Sequence, residues 1–144
     1  MSTPTKTAVD DLASVHAFTR DWATAWNSRD GAAVAALCAG DLVYDEPALG
    51  DTVHGRQPIE DFVNHLAGAF PDYAFSLQGL YAEVSRPAVL VAWEFTGILA
   101  GTECTVRFHG DDRLEFDDDG QISAYRCLYD NDLVNKQIAA ARQQ

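Results

Sequence analysis

Residues 103–116 read ECTVRFHGDDRLEF, and they alternate with period two. Cys104, Val106, Phe108, Gly110, Leu114 and Phe116 fall on one side of an extended chain. Glu103, Thr105, Arg107, His109, Asp111, Arg113 and Glu115 fall on the other. A helix would mix these two sets, whereas a strand with one face on a core and one in water separates them. DDDG, a hairpin turn, follows, and then QISAYRCLYDN (121–131) as a further strand. Two strand-like runs precede it, YAFSLQGLYAEV (73–84) and AVLVAWEFTGIL (88–99), with turns at Ser85-Arg86-Pro87 and Ala100-Gly101. An antiparallel meander in the second half is the strongest constraint on the fold.

The first half reads differently. Leu12, Val15, Phe18, Thr19, Trp22 and Trp26 recur at steps of three and four, which predicts an amphipathic helix over 8–28. Asp10 and Asp11 lie in its first turn, where the helix dipole favours anions. NSRDG breaks it, and Asp30 is placed to cap a short helix, AAVAALCA. LVYDEP is a strand and LGDTVHGRQP a turn-rich loop. A third helix is expected over 58–69, with Pro58 in its first turn and Ile59, Phe62, Val63, Leu66 and Phe70 on one face. A last helix covers 132–142. Helices first and a meander last give an α+β fold, with helices packed on one face of a curved sheet. The 144 residues form a single domain, with residues 1–8 expected to be flexible.

Period-two geometry puts Asp112 on the apolar face of 103–116, between Gly110 and Leu114. A carboxylate there must be paired or have its pKa raised. A neutral acid donates a hydrogen bond to a developing oxyanion. The alternative is a bulge at HGDD that turns Asp112 outward, since Gly110 invites one. Asp45 and Glu46 end the first strand before Pro47, and alternation does not choose which faces inward. Asp130 shares a face with Ile122, Ala124, Arg126 and Leu128, as a second inward acid or as the cap of the last helix. Glu94 opposes the Val89, Val91, Trp93, Phe95 face, in solvent or in a cavity. His16, His54, His65 and His109 have no metal-ligand spacing, and no metal site is expected.

The formal net charge of −12 disfavours nucleic acid and anionic membranes, which need clustered Lys and Arg. No apolar run reaches transmembrane length, and the N-terminus has no basic start followed by an apolar stretch. Cys38, Cys104 and Cys127 are an odd count with no metal-like spacing, read as reduced thiols in a cytoplasm. Nucleotide-binding glycine loops and the serine-hydrolase elbow are absent.

WNSRDGAAVAALCAGDLVYDEP, HGRQPIEDFVNHL, FHGDDRLEFDDDGQISAYRCLYD and the Asp130, Leu133, Gln137 spacing together resemble the nuclear transport factor 2-like superfamily over about residues 10–140. The resemblance is to the branch of SnoaL-like polyketide cyclases and ketosteroid isomerases, with limonene epoxide hydrolase nearby. It implies a curved antiparallel sheet forming a cone, with three N-terminal helices on its concave face. It places Glu46 at the general-base position of the isomerases and Asp112 at their protonated oxyanion-hole aspartate. Trp22 replaces their oxyanion-hole tyrosine. Asp130 matches the closing-strand aspartate of the epoxide hydrolase, but that enzyme's Arg-x-Asp pair becomes Ala92-Trp93-Glu94.

The expected activity is cofactor-independent acid/base catalysis through an enolate, as isomerase or aldol-type cyclase, on an apolar carbonyl-bearing molecule such as a steroid or polyketide. Glu46, Asp112 and Asp130 are the expected catalytic residues. Trp22, Tyr44, Phe62, Trp93, Phe108 and Arg126 are the expected substrate contacts. A non-catalytic binding module and an epoxide hydrolase are the alternatives. A homodimer through the open sheet face is expected, with Arg107, His109 and Arg113 on it.

Overall fold

The computed structural model describes residues 12–144. The expectations for residues 1–8, and for Asp10 and Asp11, lie outside the described residues. Helix α1 (Leu12–Asn27) buries Val15, Thr19, Trp22, Ala25 and Trp26 along one stripe. Thr19 satisfies its hydroxyl by donating to the Val15 carbonyl at 2.8 Å, which lets a polar residue sit in that stripe. Two residues past the helix end, Arg29 is a non-glycine residue with φ of 60°. Its guanidinium is held over the Tyr73 ring and donates to the Tyr73 carbonyl at 2.9 Å, anchoring the turn. Asp30 then caps α2 (Gly31–Ala35) by accepting from Ala32 N–H.

The expected second helix is shorter than its alanine content suggests. Cys38 and Ala39 instead open strand β1 (Cys38–Asp45), where Cys38 pairs with Ile122 and is fully buried. Tertiary pairing outweighs local helix preference there. The loop that follows contains a two-residue strand, β2 (Val53–His54), paired with Val43 and Tyr44. Helix α3 (Arg56–Ala69) starts two residues before Pro58, which still lies in its first turn. The meander is β3 (Ala74–Ala82), β4 (Ala88–Ile98), β5 (Thr105–Phe116) and β6 (Ile122–Leu128), followed by α4 (Asn131–Arg142).

The six strands form one curved, unclosed sheet in the order β2-β1-β6-β5-β4-β3. One pair departs from the expected all-antiparallel pattern: β1 runs parallel to β6. Among the described residues there are four helices, three before the meander and one after it. Register shifts in β3 after Leu77 and between β1 and β6 after Cys38 bend the sheet around the helices. Its inner face carries Val89, Val91, Trp93, Phe95, Val106, Leu114 and Tyr125 against Trp22, Trp26, Ile59 and Val63 of the helices. Its outer face is charged. Glu94 pairs with Arg107 at 3.1 Å and lies 3.3 Å from His109, and Arg113 bridges Glu83 and Glu115.

Strand β5 is longer than β6, which pairs only with Asp111–Phe116. Helix α4 serves part of the exposed backbone. Gln137 accepts from Arg107 N–H at 2.9 Å and donates to Arg107 C=O at 2.8 Å, doing what a neighbouring strand would do. This docks α4 over the open end of the inner face.

Candidate active site

Between the helices and the inner sheet face lies a cavity of about 220 Å³, lined mainly by apolar and aromatic side chains. Phe62, His65, Leu66 and Ala69 of α3 form one wall, and Val134, Asn135 and Ile138 of α4 another. Trp93, Phe95 and Phe108 form the sheet side. Two carboxyl groups open into it, Glu46 and Asp112. A second depression, of about 490 Å³, lies beside Gly101–Cys104 and the end of α4; it is more polar, and Glu103 is the one acid that lines it.

Asp112 sits where the alternation of β5 puts it. Its β4 partner is Val91 and its β6 partner Cys127, and the β4–β5 register runs from Ile98–Thr105 to Ala88–Glu115 without a bulge. Asp112 is 3% exposed. Tyr125 donates its hydroxyl proton to Asp112 Oδ2. The Tyr125 oxygen in turn accepts from the Trp22 indole N–H at 3.0 Å, since an indole can only donate. Burial raises the Asp112 carboxyl to about 7, against the opposing effect of the Tyr125, Trp93 and Cys127 donors beside it, and the Glu46 charge pushes the same way as burial.

Glu46 is the first residue past the end of β1, and it is 4% exposed. Pro47 stops the strand, and the chain turns back so that Ala48 N–H donates to Glu46 Oε1 at 3.1 Å. Tyr129 donates its hydroxyl to the same oxygen. Burial raises the Glu46 carboxyl, while these donors and the Cys127 thiol hold it down. Asp45, one residue earlier, points the other way and accepts from Thr52. Of the two adjacent acids, Glu46 faces the cavity.

Cys127 lies beside both carboxyls and also lines the cavity. Burial and the two acids keep its thiol protonated, so it acts as a neutral donor between them. From the sequence, Cys127 is read only as a reduced thiol, and Tyr125 and Tyr129 are given no role in the site. The alternation of 121–131 places Ile122, Ala124, Arg126, Leu128 and Asp130 on one face, but a register shift beside Phe116 and Ile122 changes the parity of β6. Tyr125 and Cys127 therefore turn inward, and Arg126 and Leu128 are exposed. The alternating pair of tyrosines around a cysteine in YRCLY was the signal available.

The other expected residues divide. Phe62, Trp93 and Phe108 line the cavity. Trp22 does not line it: its indole is fully buried behind Tyr125 and reaches the cavity through the Tyr125–Asp112 bonds. Tyr44 is also fully buried, edge-on to Tyr125 and Phe62, and outside the cavity lining. Arg126 is exposed and Asp130 accepts from Leu133 N–H as the N-cap of α4, so neither meets the two acids. His65 lines the cavity from an exposed position, while His54 is exposed on β2 and does not. Among the described residues no three His, Cys, Asp or Glu side chains gather as a metal site, and Cys38, Cys104 and Cys127 are free thiols. No described helix is long and apolar enough to cross a membrane.

Helices folded over one face of a curved sheet, with the cavity between the layers, make this a protein of the nuclear transport factor 2-like class. Within that class the chain belongs to the SnoaL-like domain family, whose model matches residues 19–125. A steroid Δ-isomerase from Nocardioides simplex is 32% identical over 98 residues, covering 68% of this chain and 75% of that protein. A Catenulispora acidiphila protein of ketosteroid isomerase-like fold, solved with trimethylamine, superposes with a TM-score of 0.72 at 20% identity, covering 83% of this chain and 89% of that one. The epoxide hydrolase/cyclase-like enzyme SalBIII of pyran ring formation in salinomycin also gives 0.72, at 18% identity over 83% of this chain and 93% of its own. At such identities these structures show the fold alone.

Proposed function

We propose that this chain is a cofactor-independent acid/base enzyme that moves a proton through an enolate on an apolar, carbonyl-bearing small molecule. The observation that carries this reading is the pairing of Glu46 and Asp112, two buried carboxyls with raised pKa values, in one aromatic cavity. Each ionised group raises the cost of ionising the other, so the pair favours a single negative charge near neutral pH. Glu46 is the better place for that charge. Two donors meet its Oε1, which leaves Oε2 to face a ligand. Asp112 is the deeper group and keeps its proton.

In this reading Glu46 removes a proton from the carbon next to a ligand carbonyl. The neutral Asp112 donates to the oxygen as it gains charge. Protonated Glu46 returns the proton to another carbon, completing an isomerisation, or the enolate closes a ring as an aldol. The steroid Δ-isomerase relative favours the first outcome. The epoxide-opening alternative finds little in the geometry: Glu94 is engaged with Arg107 and His109 on the outer sheet face, and Asp130 is a helix cap. The charged outer face is where we place a homodimer contact, which sedimentation at micromolar concentration tests; a monomer throughout would remove it.

Turnover of a β,γ-unsaturated ketosteroid by the wild type and by Glu46→Gln tests the reading. Acid/base catalysis predicts a loss of about 10²–10⁴-fold in kcat on substitution. Binding without turnover in the wild type would instead make the chain a carrier, and equal rates would remove Glu46 from the chemistry.

A further inference from the structure

The polar side chains that line the cavity fall into two sets. Glu46, Asp112 and Cys127 belong to the sheet layer and are buried, with the half-buried Tyr129 serving Glu46. His65 of α3 and Asn131 and Asn135 of α4 belong to the helices. His65 and Asn135 are exposed and Asn131 is half-buried, so these three stand at the rim. Helical spacing puts them there. His65 lies three residues from Phe62 and four from Ala69, and Asn135 lies four from Asn131 and three from Ile138. Each helix thus turns an apolar stripe to the cavity and ends that stripe in a polar edge.

The rim side chains have no structural duty. Other amides do: Asn27 accepts from Phe75 N–H at 2.8 Å and donates to its carbonyl at 3.1 Å, and Asn64 accepts from Gly31 N–H at 2.9 Å. The side chains of His65, Asn131 and Asn135 bond to no other described residue. Nor does the rim hold a fixed cation. Among the described residues no Lys or Arg lines the cavity, and Lys136, next to Asn135, stands outside the lining. At about 220 Å³ the cavity is also smaller than the roughly 300–1,000 Å³ usual for drug-sized ligands, so an elongated ligand ends at the rim.

We propose that His65, Asn131 and Asn135 form a specificity subsite for an uncharged oxygen, a hydroxyl or a ketone, at the far end of the ligand. The substrate class is then an elongated apolar molecule with oxygen at both ends and no carboxylate or phosphate. A carboxamide both donates and accepts, so a hydroxyl and a carbonyl each find a partner. An anionic end would share the cavity with Glu46 and Asp112 and meet no cation to offset it. The inference rests on the reading that the ligand's reacting carbonyl meets the two acids, and it adds what the other end must be.

Calorimetry with three ligands on one rigid frame tests it: 4-phenylphenol, 4,4′-dihydroxybiphenyl and 4′-hydroxybiphenyl-4-carboxylate. A rim subsite predicts that the dihydroxy compound binds the wild type about tenfold more tightly than 4-phenylphenol, beyond the roughly twofold that two equivalent ends supply. The carboxylate should bind about tenfold more weakly than 4-phenylphenol. The double substitution His65→Leu/Asn135→Leu should cut the dihydroxy advantage to about twofold and leave 4-phenylphenol within about twofold. Asn135→Lys should strengthen the carboxylate about tenfold, a gain that misfolding cannot produce. Both positions are exposed, so the core is untouched. Equal binding of the three ligands, a dihydroxy advantage that survives the double substitution, no gain from Asn135→Lys, or no binding of any ligand overturns the inference. Failure of ketosteroid turnover with this selectivity intact counts against the proposed chemistry alone. Turnover without the selectivity counts against the rim alone.

Discussion

Burial raises the Asp112 carboxyl to about 7 because its surroundings solvate the charge poorly, and this has a consequence for stability. A carboxyl whose native pKa is raised to about 7 holds a proton that the unfolded chain has already released. Between about pH 4 and pH 7 the native state therefore binds more protons than the unfolded state, and stability falls as pH rises, by at most about 1.4 kcal/mol per unit for this group. Above about 7 the slope from Asp112 ends. Glu46 is shifted in the same direction and adds to the same trend. Urea midpoints measured from pH 5 to 8 should decline in the wild type and flatten in Asp112→Asn. A second residue-scale prediction concerns Tyr129. Its hydroxyl favours the Glu46 carboxylate, so Tyr129→Phe should move the acidic limb of the pH–rate profile upward with little change in stability. Asp112 was legible in the sequence because β5 keeps strict alternation over its length. Tyr125, Cys127 and Tyr129 were not: the alternation in YRCLY puts them on one face, but the register shift that turns that face inward is set by pairing with β5.

At the level of elements, α4 decides whether the cavity has a wall. Asp130 caps its first turn and Gln137 ties its middle to Arg107 of β5. Asp130→Ala should cost about 1 kcal/mol of stability in thermal or urea unfolding. It should leave turnover near wild type, because the side chain does not meet the cavity; Asp130→Asn should keep most of the cap. Gln137→Ala removes both bonds to the β5 backbone and should cost about 1–3 kcal/mol, with faster amide exchange in α4 as its local signature. The strands of the meander were readable from period-two patterning and turn residues to within a few residues at each end. The short helix before β1 is shorter than AAVAALCA favours locally, because Cys38 is captured by Ile122 across the sheet. The parallel β1–β6 pairing is likewise a long-range choice that periodicity within either strand does not record.

For the molecule as a whole, the two layers do different jobs. The sheet supplies a rigid floor with Asp112 and Trp93 on adjacent strands, and the helices close an apolar space above it. The class of fold followed from the order of patterns along the chain, helices and then a meander, whereas the site required knowing that the end of β1 and the middle of β5 meet across β6. Glu46 and Asp112 are far apart in sequence and share the cavity because Cys127 of β6 lies between the strands that carry them. The central claim is that these two carboxyls form one coupled acid/base pair, with the proton resting on Asp112. The most direct measurement is a ¹³C NMR titration of the Asp112 carboxyl in the wild type and in Glu46→Gln. The account predicts a wild-type midpoint near 7 that falls when the Glu46 charge is removed. A midpoint near the ordinary carboxyl value of about 4, unmoved by Glu46→Gln, would contradict it.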